Sequence, residues 1–309
     1  MVKYTIKRIV YMIITLLIIA TATFFLMKLL PGTPLTNQER LSPQQQQIIL
    51  DKYGLNDPLP VQYVTYMTNL VQGDLGLSFQ YDNRPVSQMI ADRIGPSALL
   101  GFQAMVLGTI VGLIIGIIAA IRQNTWVDYG STFLAVLGIS IPSFVFAALL
   151  QYYVGVKWEI LPVALWGEYK HTILPTLALT VGVVATIARY MRTEMIEILN
   201  TDYILLAKAK GTTNTNVIVK HGVRNAMIPI ITILGPMTVG IMTGTMVIEQ
   251  IFAVPGLGEQ FVRSINTNDY TVIMGVTLFY SVLLVAVIFL VDILYGIIDP
   301  RIRLVGGKK

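Results

Sequence analysis

The stretch ALLGFQAMVLGTIVGLIIGIIAAI, Ala98 to Ile121, contains no charged residue and no proline. As a helix rising 1.5 Å per residue it covers about 36 Å, enough to cross a hydrocarbon core of ~30 Å. Its apolar residues do not alternate, which argues against a barrel strand. In lipid each backbone polar group must be paired within its own segment, so helix is the reading that remains. Gly108, Gly112 and Gly116 recur every fourth residue and mark one face of that helix as a close-packing seam.

Working outward, five further apolar runs appear at about 9–30, 131–156, 172–188, 226–248 and 271–297. Each is long enough to span. The predicted fold is therefore all-α and integral to a membrane, with six transmembrane helices in a single domain over 1–309. The fifth run repeats the small-residue spacing at Gly240 and Gly244, and Pro142, Pro175, Pro229 and Pro236 each free a backbone carbonyl inside or at the edge of a span. Ala20-Thr21-Ala22 offers a cleavage-like site, but apolar character continues to Leu30, so a retained first helix is expected.

The composition agrees. Hydrophobic residues make up 54% and charged residues 13% of the 309, and the mean hydropathy is +0.68, which places the chain among polytopic membrane proteins. With no cysteine there is no disulfide, thiolate metal site or cysteine nucleophile. The net charge of +5 matters through its distribution. Lys3, Lys7, Arg8, Arg122, Arg189, Arg192, Lys208, Lys210, Lys220, Arg224, Arg301, Arg303, Lys308 and Lys309 fall on one side of the six spans. They outnumber Arg40, Lys52, Arg84, Arg93, Lys157, Lys170 and Arg263 on the other by two to one. That excess predicts cytoplasmic termini and a cytoplasmic loop at 189–225.

The long segment 31–96 is predicted to be a helical layer on the outer face. Ser42-Pro43 is a helix start ahead of Ile48, Ile49 and Tyr53, with Gly54 as a stop. Val61, Val64, Met67 and Val71 form a second stripe, and Val86, Met89, Ile90 and Ile94 a third.

The chain carries little chemistry of its own. It has no G-x-x-x-x-G-K-[ST] phosphate loop, and its two histidines, His171 and His221, are placed on opposite sides of the membrane. No catalytic residue, metal ligand, bound cofactor or nucleic-acid partner is expected. An ion-coupled transporter places ionisable residues near mid-bilayer, whereas Lys28, Glu249 and Asp292 fall toward span ends. A membrane scaffold is the other rival reading. For a transporter, the energy must come from a separate motor, and the polar, glycine-punctuated loop 189–225 is where one could push.

That loop carries a resemblance. The stretch YILLAKAKGTTNTNVIVKHGVRNAMIPIIT, Tyr203 to Thr232, resembles the EAA-type coupling loop of ATP-binding-cassette importer permeases, in the oligopeptide, dipeptide and nickel branch. FFLMKLLPGTP at 24–34, YGLNDPLPVQYVTYMTNLVQGDLGLSF at 53–79, GISIPSFVF at 138–146, IEQIFAVPGLGEQFVRSINTNDYTV at 248–272 and DILYGIIDPRIR at 292–303 resemble, in the same order along the chain, the first permease subunit of that branch.

The resemblance implies the type I importer fold in a bacterial cell membrane. It also implies a second, homologous permease, two ATPase subunits holding ATP and Mg, and an extracytoplasmic peptide-binding lipoprotein. Oligopeptide is the first substrate expected, with dipeptide and nickel behind it. Tyr203, Ala207, Lys208, Ala209, Lys210, Gly211, His221, Arg224 and Asn225 become the ATPase-coupling residues. The loop with Glu249, Pro255, Gly256, Leu257, Gly258 and Glu259 becomes a projecting turn facing the binding protein. Leu205 stands where the broader pattern has a glutamate and His221 where it has an isoleucine, so that glutamate's contact is not carried over.

Overall fold

The computed structural model describes residues 2–29, 43–52 and 54–298. Among them the chain is helical, with one isolated antiparallel bridge from Leu77 to Pro85. The helices are α1 (Val2–Leu29), α2 (Pro43–Lys52), α3 (Leu59–Val71), α4 (Val86–Ile121), α5 (Trp126–Ser140), α6 (Ser143–Leu150), α7 (Lys170–Leu199), α8 (Asp202–Ala209), α9 (Asn214–Asn216), α10 (Arg224–Ile251), α11 (Leu257–Asn266) and α12 (Tyr270–Ile298). Five stretches are long and apolar enough to cross a membrane. The pair α5 and α6, bent by 97° and extended by a π-helical turn at Gln151–Lys157, brings the number to as many as six. Ser42, Tyr53, the surroundings of Gly244 and of Asp292, and the basic residues Arg301, Arg303, Lys308 and Lys309 lie outside what is described.

The chain forms two compact units, Met1–Gly95 with Gly256–Ala286, and Pro96–Pro255 with Val287–Lys309; the boundaries fall within α4, in the turn between α10 and α11, and within α12. In the first unit, aromatic rings join α3 to the end of α1. Phe24 stacks on Tyr66 at 5.5 Å and Phe25 on Tyr63 at 5.7 Å, while the Thr21 and Tyr63 hydroxyls share a 2.8 Å hydrogen bond. The Tyr66 hydroxyl is buried with no hydrogen-bond partner among the described residues, and burial, reinforced by Tyr63, pushes its pKa up to about 12. Buried Asp269 accepts hydrogen bonds from the Ser78 hydroxyl and the Phe79 N–H, and Arg93 pairs with Glu259. The helix expected at Val86–Ile94 is the opening of α4 rather than a separate element. Pro96 sits inside it, because a single missing N–H does not end a helix whose flanking residues favour it.

In the second unit α7 is the central helix. One apolar cluster joins Leu174, Ala178 and Leu179 to Leu100, Ala104, Ala147, Ile248 and Phe252. A second joins Val183, Ile187, Met191 and Met195 to Met105, Ala226 and Ile230. Small residues allow this closeness. A Cβ added at Gly108 would stand 2.5 Å from Val183 Cβ, one at Gly112 2.8 Å from Ile187 Cβ, and one at Gly116 2.6 Å from the Ala188 carbonyl oxygen. The obstacle at Gly116 is backbone, which cannot swing aside. Gly116→Val is therefore expected to cost about 3 kcal/mol and to lower the amount of folded protein in the membrane, checked by blotting membrane fractions. On α10 the close contact is at Gly235, where a Cβ would fall 2.3 Å from Val291 Cγ2; at Gly240 a Cβ would meet nothing within 4 Å. Spacing marked Gly240, but that position lies on an exposed face of the helix.

Candidate coupling site

The loop after α7 is built from short, fully specified pieces. Asn200 and Thr201 turn back onto the end of α7, Asn200 Nδ2 donating to Ile196 O at 2.9 Å and Thr201 Oγ1 to Ile198 O at 2.6 Å. Thr201 is extended and opens α8, with Asp202 in the first turn and Lys208 in the last, the arrangement that suits the helix dipole. α8 ends in a Schellman turn. Gly211 N–H donates to Lys208 O at 2.9 Å, Thr212 N–H donates to Ala207 O at 3.1 Å, and Gly211 has φ +82°. That left-handed conformation is why glycine stands there.

The chain then climbs through α9 and a π-helical turn at Val217–Val223 into α10. Buried Ile204 and Val217 hold the loop down, and Gly222 lets it approach Met195, whose Cε would lie 3.1 Å from a Cβ there. Asn225 Nδ2 donates to the Tyr203 hydroxyl at 3.2 Å and to His221 O at 2.8 Å, which ties α8 to the start of α10. Tyr203, Asn225 and the His221 backbone thus meet. Lys208, Ala209, Lys210, Gly211 and Arg224 are exposed, and Ala207 is half-buried.

The surface offered by α8 is apolar as well as basic. Leu205 is 59% and Leu206 56% exposed beside Lys208 and Lys210. From sequence, Leu205 is noted only as standing in place of a glutamate, and Leu206 not at all. The available signal was a pair of leucines after Ile204, just ahead of Lys208 and Lys210. Asp128 on α5, only 1% exposed, also escaped notice. Its carboxylate accepts from Arg192 Nε and Nη2 on α7, the latter at 2.8 Å, and from Asn124 N–H at 2.9 Å. This bidentate pair clamps α5 to the helix that carries the loop.

The turn expected to project at 249–259 is instead packed. Glu249, Gly256, Leu257 and Gly258 are buried, and Glu259 is mostly so. Glu249 receives a 2.6 Å hydrogen bond from Ser97 Oγ, and its own carbonyl accepts from Val254 N–H at 2.8 Å. Pro-Gly chemistry specified a turn but not which way it faces. Gln250, Ala253, at φ +50°, and Pro255 are the exposed positions. Among the described residues no group of three His, Asp or Glu side chains is placed to hold a metal ion.

A helical chain with five to six apolar spans, one of which leads directly into a rigid surface helix, is a multi-pass membrane subunit. Residues 112–304 match the binding-protein-dependent transport system inner membrane component, and residues 1–100 match the N-terminal component of such systems. The chain belongs to this family of transport subunits, which are not themselves enzymes. It is 46% identical over 304 residues to the dipeptide transport system permease protein DppB of Lactococcus lactis subsp. cremoris, spanning 98% of this chain and 100% of that one. The dipeptide permease DppB of Bacillus subtilis is also 46% identical, over 98% and 99%. The oligopeptide transport system permease protein OppB of Escherichia coli K12 is 40% identical, over 98% and 100%. Two solved structures share the fold. An amino acid ABC transporter crystallised with histidines has a TM-score of 0.54 at 16% identity, over 67% of this chain and 93% of that one. The MetNI methionine ABC transporter in an inward-facing form has a TM-score of 0.53 at 18% identity, over 69% and 95%.

Proposed function

We propose that this chain forms half of the translocation path of an ATP-driven importer of short peptides, and that α8 and the Gly211 turn are where a separate ATPase drives it. The observation that carries the reading is α8 itself: exposed leucines and lysines on a short helix whose base is fixed by Tyr203, Asn225 and a glycine turn. The peptide substrate is supported by the names of the relatives at 40 to 46% identity. The complete machine contains a second homologous permease, two ATPases holding ATP and Mg, and an extracytoplasmic binding lipoprotein. It sits in the bacterial inner membrane with both termini and the 189–225 loop in the cytoplasm, as the distribution of basic residues favours.

Copurification tests the assembly. A tagged chain extracted in mild detergent is expected to bring out two ATPases and a second permease, with hydrolysis that rises when peptide-loaded binding protein is added. A chain that comes out alone contradicts the reading. The turn before α11 remains the proposed meeting place for the binding protein, now through its exposed positions. Cysteines introduced at Ala253 or Pro255 are expected to crosslink to the binding protein during turnover, and a cysteine at buried Leu257 is not.

A further inference from the structure

The break between α5 and α6 leaves backbone groups with no partner in the helix. The last α5 hydrogen bond runs from Ile141 N–H to Leu137 O, at 3.0 Å. Pro142 has no N–H to offer the Gly138 carbonyl, and the extended backbone of Ile141 (φ −87°, ψ 122°) ends the ladder for Ile139 and Ser140. On the other side, Ser143 and Phe144 begin α6 with no side-chain cap at Pro142. The break lies against Ala178, Val181, Gly182 and Thr186 of α7, within the apolar run 172–188. Unpaired backbone within a span is tolerated only where it is covered by protein or lines a wet cavity.

Here there is a cavity. A pocket of about 260 Å³ opens at the break, lined by Gly138, Ile141, Pro142 and Ser143 on one side and by Gly182 and Thr186 on the other. A Cβ added at Gly182 would meet nothing within 4 Å, so that face of α7 is open space. The α5 end presents acceptors with the partial negative charge of a helix C-terminus, and the α6 start presents N–H donors with the opposite charge.

We infer that this pocket is a binding site on the translocation path for the main chain of a peptide, whose N–H groups pair with the α5 carbonyls and whose carbonyls pair with the α6 amides. Backbone reading of this kind leaves the peptide's side chains uninspected. The inference rests on the peptide-importer reading above.

The chain has no cysteine of its own, so the assembled complex with Ser143→Cys carries a unique label site on this subunit. A charged methanethiosulfonate reagent is expected to modify it, and trialanine delivered by the binding protein during turnover is expected to slow that modification. Trialanine with N-methylated amides should protect about tenfold less well, since each lost hydrogen bond at a charged helix end is worth about that factor. The Cβ of Gly182→Leu has open space, and its side chain takes up part of the pocket. The variant is expected to leave the complex assembled and to cut peptide uptake at least about tenfold. Absence of labelling, labelling that trialanine does not slow, equal protection by the methylated peptide, or a Gly182→Leu complex that transports normally would each overturn the site. Failure of the importer reading shows elsewhere, as a lack of ATP-dependent peptide uptake by the unmutated complex.

Discussion

Gly211→Val is expected to abolish peptide uptake while leaving the protein in the membrane at normal abundance. The reason is local. Gly211 holds φ +82° at the end of α8, and no atom lies within 4 Å of where a Cβ would be. The penalty of about 1 to 3 kcal/mol therefore comes from the backbone conformation and not from a collision. Relieving that strain unwinds the two hydrogen bonds that close α8, from Gly211 N–H to Lys208 O and from Thr212 N–H to Ala207 O. The helix then no longer presents Leu205, Leu206 and Lys208 in a fixed array. The clusters around α7 that hold the second unit together do not include this turn, so insertion and pairing with the second permease should survive. Hydrolysis by the attached ATPases should lose its response to loaded binding protein. Gly211→Asn, which tolerates the left-handed region better, should keep part of the activity. Uptake by Gly211→Val at the unmutated level would refute the assignment of this turn to coupling.

Asp128→Ala is expected to lower stability about as much as Gly116→Val does. Asp128 is 1% and Arg192 28% exposed, so removing the carboxylate leaves a largely buried guanidinium without its partner, at a cost of about 3 kcal/mol. The Asn124 N–H loses its acceptor as well. The amount of protein in the membrane and its resistance to heating in detergent should both fall. Removing both charges is gentler than removing one, because the uncompensated cation is gone. Asp128→Ala with Arg192→Leu is thus expected to be more stable than Asp128→Ala alone, measured by the temperature at which half the detergent-extracted protein aggregates. A double variant as unstable as the single one would show that the pair acts through packing and not through charge. In the double variant α5 and α7 remain packed but unclamped, so uptake should recover less than abundance does.

The six apolar runs were legible because a bilayer accepts few alternatives to helix, and each run coincides with a helix or, at 131–156, with the pair α5 and α6. The proline in GISIPSF marked the break; its 97° angle, with both α5 and α6 packed on α7, is not encoded by a local pattern. The partner of a surface is likewise invisible from spacing. Gly240 and Gly235 are both small residues on α10, and only the second approaches Val291. Asp128 and Arg192 stand 64 residues apart, so one reads as a stray acid and the other as a positive-inside arginine until the helices are packed. At 249–259 the Pro-Gly composition marks a turn but not that most of its residues are buried. Buried Gln260 and Ser264, bonded to each other at 3.2 Å, show α11 packing through a polar face that a search for apolar stripes does not register.

The most direct test is peptide uptake into proteoliposomes that contain the chain, its partner permease and two ATPases, with binding protein and labelled peptide outside. The predicted result is accumulation that requires both ATP inside and binding protein outside, and that disappears when Gly211 is replaced by valine. Accumulation driven by an imposed proton or sodium gradient without ATP would contradict it.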